Sequence, residues 1–107
     1  MSYRAGRRAL RKGELRHAEG LFREALCLNR RMAPAAAGIA RVRLAQRRFE
    51  TAWHWAERAV RLRPARPAYH LLQGDIWLAQ GKDAAAAGAW RQALSLDPDN
   101  PDARARL

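Results

Sequence analysis

Acidic residues are scarce in this chain, with ten Asp and Glu against 21 Lys and Arg in 107 residues. Cysteine is scarcer still. Cys27 stands alone, which excludes an intrachain disulfide, fits no thiolate spacing that holds zinc, and points to a reducing compartment. No apolar run approaches the roughly 18 residues that a membrane span needs, and Met1-Ser2-Tyr3-Arg4 leads into no apolar stretch of the signal-peptide kind, so the expected location is the cytoplasm, with no membrane partner. Alternation with period two, the mark of half-buried strands, is absent.

Catalytic groupings are missing too. His54 and Glu57 have the three-residue spacing of helical metal ligands but lack the further ligands a site requires, His17 and His70 are isolated, and Cys27 follows Leu26 with no base to activate it. The chain is therefore expected to be no enzyme, and to need neither metal nor cofactor.

What the chain does have is a period. Shifted against itself by 34 residues, Ala18 falls on Ala52 and Ala86, Ala25 on Ala59 and Ala93, Leu28 on Leu62 and Leu96, Gly13 on Gly81, Phe22 on Trp90, and Pro64 on Pro98. Ala18, Leu21, Phe22, Ala25 and Leu26 recur at three- and four-residue spacing, as do Ala86, Ala89, Trp90, Ala93 and Leu94, so each unit carries a helix with one apolar side. Gly13 and Gly81 sit where the first helix of a pair must end, a place for positive φ; Arg47 holds the same column and is expected to be strained there. The prolines lie near the junctions. Alanine columns suit closely crossed helices, with Phe22 and Trp90 filling the neighbouring gap. Ala56 stands in that bulky column of the middle unit, and Trp53 or Trp55 is expected to compensate. Gly6, Gly13 and Gly20 are read as placed by the repeat rather than as a phosphate-cradling loop.

Gly81, Ala86, Trp90 and Ala93, the closing Leu96-Asp97-Pro98-Asp99-Asn100, and Gly74-Asp75-Ile76-Trp77 resemble the tetratricopeptide repeat in pattern and period. The resemblance implies an all-α fold of three helix-turn-helix repeats, about 1–32, 33–66 and 67–100, stacked as a short right-handed solenoid in one domain, with 101–107 beginning an incomplete capping helix. The sequence departs from the family where Arg30 replaces the closing proline, Gln73 replaces the usual leucine, and Asp83 stands against Leu15 and Phe49.

In the family the first helix of each pair lines a concave face where extended peptides bind. Carried over, this places Tyr3, Arg4, Arg7, Arg11, Arg41, Leu44, Leu71, Asp75 and Leu78 in the groove, with Pro34, Ala37, Gly38 and Leu72 beside them. The residues with which the family's best-known groove clamps the C-terminal carboxylate of heat-shock chaperones are replaced here by Tyr3, Arg7, Gly38, Ala68 and Leu72, so that clamp is not present. Residues 1–31 hold nine cations and three acids, residues 32–66 eight and two, and residues 67–107 four and five. A groove basic at one end and apolar at the other is expected to bind an acidic or amphipathic protein segment, as an adaptor does. Two alternatives follow from the charge: a nucleic-acid- or ribosome-associated module, and a scaffold that self-associates end to end.

Overall fold

At three points the chain ends a helix and turns back through one left-handed residue: Gly13 (φ 78°), Arg47 (φ 60°) and Gly81 (φ 77°). The computed structural model describes residues 2–107; Met1, with which the first expected unit begins, lies outside them. Seven helices and no strand occur among the described residues: α1 Ser2–Arg11, α2 Leu15–Leu28, α3 Ala33–Ala45, α4 Phe49–Leu62, α5 Pro67–Ala79, α6 Asp83–Leu96 and α7 Pro101–Arg106. Each left-handed residue is followed by an N–H that reaches back five residues, Glu14 to Ala9 (2.9 Å), Arg48 to Arg43 (2.8 Å) and Lys82 to Trp77 (3.0 Å), the Schellman closure of a helix end. Between pairs, Asn29, Arg63 and Asp97 take φ of −148°, −140° and −145°, and the next helix starts over Pro34, Pro67 or Pro101, whose missing N–H would have had no helical partner.

The pairs α1/α2, α3/α4 and α5/α6 pack tightly, each leaning on the next through α2 against α3 and α4 against α5. α1 also meets α3, and α3 meets α5, so the first helices stack along one side of the solenoid.

Bulk is traded between columns at the crossings. Phe22 is fully buried between Gly6 and Gly38, where an added Cβ would stand 2.8 Å and 2.6 Å from its ring, and Gly74 makes the same room for Trp90. The middle unit has Ala40 and Ala56 in those columns, and Leu72, one period after Gly38, supplies the missing volume in the cluster that holds Ala56, Tyr69 and Ile76. Trp53 and Trp55 pack only half-buried at the core's margin, Trp53 with its ring 4.3 Å from that of Trp77. Gly20 has a different standing from Gly6 and Gly13: a Cβ there would meet nothing within 4 Å, and neither a turn nor packing requires it.

α7 closes the far end. Asn100 caps it by accepting the Ala103 N–H (3.0 Å), Ala103 is fully buried with Leu71, Trp90 and Ala93, and Arg106 grips Asp75 of α5 through two bonds of 2.8 Å and 2.9 Å.

Candidate functional site

Tyr3, Arg7, Leu10 and Arg11 recur at helical spacing along one side of α1, as Pro34, Gly38 and Arg41 do along α3. Stacking the first helices brings these two sides together with the start of α5, and the result is a groove of about 390 Å³. Its apolar lining comes from Tyr3, Leu10, Pro34, Ala68 and Tyr69, with the fully buried Phe22 ring packed beneath Gly38. Its charged lining is Arg7, Arg11, Arg41 and Arg66, with no acid. Among the described residues none of these four arginines makes an ion pair.

Aromatic faces hold some of the cations in place. The Arg7 guanidinium lies 5.9 Å from the Tyr3 ring centre and that of Arg66 5.9 Å from Tyr69, while Tyr3 and Phe22 sit 6.0 Å apart at 46°. Arg41 keeps exposed surface because the groove is open, yet the surrounding walls strip part of its hydration and pull its pKa below the ordinary guanidinium value, with Arg7 adding to the effect and Tyr3, Tyr69 and Asp75 opposing it. A guanidinium remains charged at neutral pH all the same. Burial pushes the Tyr69 phenol up, against the pull of Arg66 and Arg41. The chemistry on offer is attraction of anionic groups beside an apolar surface.

Of the residues expected in the groove, Tyr3, Arg7, Arg11 and Arg41 come together in this lining. Arg4 is exposed on α1 outside it, and Leu44 packs half-buried against the central core. The third unit contributes differently from the expectation: Leu71 is buried in the cluster under α7, Asp75 is engaged by Arg106, and Leu78, 49% exposed, lies outside the lining. Leu10, Arg66 and Tyr69 join the lining without having been singled out for it. Arg66 precedes its helix, where periodicity carries no signal.

Several solved structures share this architecture. The first repeat domain of Spaghetti (RPAP3), bound to the HSP90 peptide SRMEEVD, superposes with a TM-score of 0.89 at 18% identity, over 99% of this chain and 84% of that one. The second such domain of human RPAP3, in complex with the HSP70 peptide SGPTIEEVD, gives 0.87 at 20%, over 99% and 88%. The Yersinia enterocolitica type III secretion translocator chaperone SycD gives 0.87 at 18%, over 97% and 79%. A family model described as TPR repeat matches residues 74–107. Residues 74–107 match the tetratricopeptide repeat, and the chain as a whole shares the fold of tetratricopeptide-repeat domains. The repeat's fixed columns account for the small residues at the crossings of α1 with α2, α3 with α4 and α5 with α6. Cellulose synthase operon protein C of Xanthomonas axonopodis pv. citri (strain 306) is 52% identical over 31 residues, 29% of this chain and 2% of that protein's length.

Proposed function

We propose that this chain is a non-catalytic protein-interaction module whose groove takes an extended peptide segment bearing acidic residues beside an apolar anchor. The observation that carries the reading is the pairing of four arginines free of acidic partners among the described residues with an apolar floor of Tyr3, Leu10, Pro34 and Tyr69. Burying an apolar anchor contributes about 25 cal/mol per Å², and carboxylates gain from several guanidinium groups at once. The HSP90 and HSP70 peptides of the RPAP3 structures, SRMEEVD and SGPTIEEVD, combine the same two features, adjacent glutamates and an aliphatic neighbour. Because the residues of the C-terminal carboxylate clamp are replaced here, internal acidic residues are the proposed target of the arginines.

Exposed ion pairs contribute only about 0–1 kcal/mol each, so affinity in the micromolar range is expected. Calorimetric titration with acidic-apolar peptides tests the reading. The groove pair Arg7→Glu with Arg41→Glu should lose binding, whereas Arg58→Glu with Arg61→Glu, on the second helix of the middle unit, should keep most of it. Equal loss in both would mean attraction by net charge alone, and would move the nucleic-acid alternative ahead.

A further inference from the structure

We propose that the depression between α2 and the α3–α4 turn is a second binding site, built for a phosphate monoester and independent of the groove. Arg16, Glu19, Gly20 and Arg23 share one side of α2 at three- and four-residue spacing, and Arg43, Gln46 and Arg48 close the depression from the opposite wall, enclosing about 340 Å³. It shares no lining residue with the groove.

Four guanidinium groups face a single carboxylate. Glu19 accepts from Arg23 and from Arg43, each at 2.9 Å. Partial burial would raise the Glu19 carboxyl, but the Arg23 hydrogen bond and the charges of Arg43 and Arg23 outweigh it and hold it below the ordinary carboxylate value, so it is ionised at neutral pH. Arg16 and Arg48 make no ion pair among the described residues, which leaves the depression with an excess of three positive charges. Two polar atoms in this lining are buried without any hydrogen-bond partner, Arg43 Nε and Gln46 Oε1. A buried donor and a buried acceptor without partners mark this wall as polar and incompletely satisfied. Gly20 interrupts the helix interior, where glycine is unfavourable, for no steric reason found in the packing; it keeps the floor of the depression bare.

The excess charge selects the ligand. A second carboxylate would leave much of it unmatched, whereas a phosphate monoester brings a charge near −2 and three acceptor oxygens, enough for the exposed Arg16 and Arg48 together. A polymer of nucleotides fits less well, since no aromatic ring lines the depression to stack a base.

The test is calorimetric titration of the whole chain with inorganic phosphate near neutral pH, at constant ionic strength. Saturable binding of one phosphate per chain is expected. It should weaken about tenfold or more in Arg16→Gln with Arg48→Gln, which leaves the Glu19 bridges in place, and change less than about twofold in Arg31→Gln with Arg63→Gln, which removes the same charge elsewhere. Melting curves extend the test: phosphate should raise the melting temperature of the parent chain and of the second pair, and not of the first. Absence of saturable binding, or equal weakening in the two pairs, overturns the proposal. So does a short single-stranded oligonucleotide that binds more tightly than phosphate and is weakened equally by both pairs, which would mark a diffuse polyanion surface.

Discussion

Arg47 occupies a backbone conformation that its two counterparts give to glycine, and nothing in its hydrogen bonding relieves the Cβ penalty: the turn is closed by backbone alone, with Arg48 N–H on Arg43 C=O. A left-handed non-glycine residue costs about 1–2 kcal/mol. Two terms oppose replacing it. Glycine raises the entropy of the unfolded chain, and the Arg47 guanidinium lies 5.1 Å from the Phe49 ring, a contact worth about 0.5 kcal/mol at an exposed position. Arg47→Gly should therefore stabilise the fold by up to about 1 kcal/mol, while Arg47→Ala, which keeps the strain and loses the ring contact, should destabilise it. Urea melts of the three proteins read the order directly, and a glycine variant less stable than the parent would mean that strain is the minor term.

At the scale of helices, the alanine columns are where sequence and packing agree most closely, because a close crossing leaves room for a methyl group and the same demand returns every 34 residues. Ala52 and Ala86 are fully buried, and His54, two residues from Ala52 on the same helix, is exposed. Ala52→Leu and Ala86→Leu should each cost about 1–3 kcal/mol by overpacking, and His54→Leu within about 0.5 kcal/mol, as chemical denaturation would register. The groove was less legible than the helices for a physical reason. A repeat column says which way a side chain points from its own helix, but not what the next element lays over it. Arg7 and Arg41 could be placed because α1 and α3 have open inner sides. Asp75 holds the same column on α5 and Leu71 that of Tyr3, yet α7 follows them, burying Leu71 beside Ala103 and pairing Asp75 with Arg106. Phe22 could be read as core from its column; that its ring packs directly beneath Gly38, under the groove, needed the three-dimensional pairing of the two.

The whole molecule carries +11 on 107 residues, and its first two units hold 17 of the 21 cations against five of the ten acids. Four ion pairs occur among the described residues, two of them between a helix residue and its own next turn. Most of the positive charge thus faces like charge across water, which weakens the compact state by self-repulsion, and salt screens that repulsion over a Debye length of about 8–10 Å. The bridges that tie different helices, Glu19 to Arg43 and Asp75 to Arg106, are short and partly shielded, so salt weakens them less than it relieves the excess. Stability and binding should then respond to salt in opposite directions. Raising salt from about 0.05 to 0.5 M should increase the melting temperature by several degrees, corresponding to about 1 kcal/mol in a domain of this size. Over the same range the affinity of an acidic-apolar peptide for the groove should fall, since Arg7, Arg11, Arg41 and Arg66 attract it through solvent-facing charge. Melting curves and peptide titrations in the same buffers measure both. A melting temperature that falls with salt would mean that the helix-bridging pairs outweigh the net charge, and peptide affinity indifferent to salt would assign the groove's attraction to its apolar floor rather than its arginines.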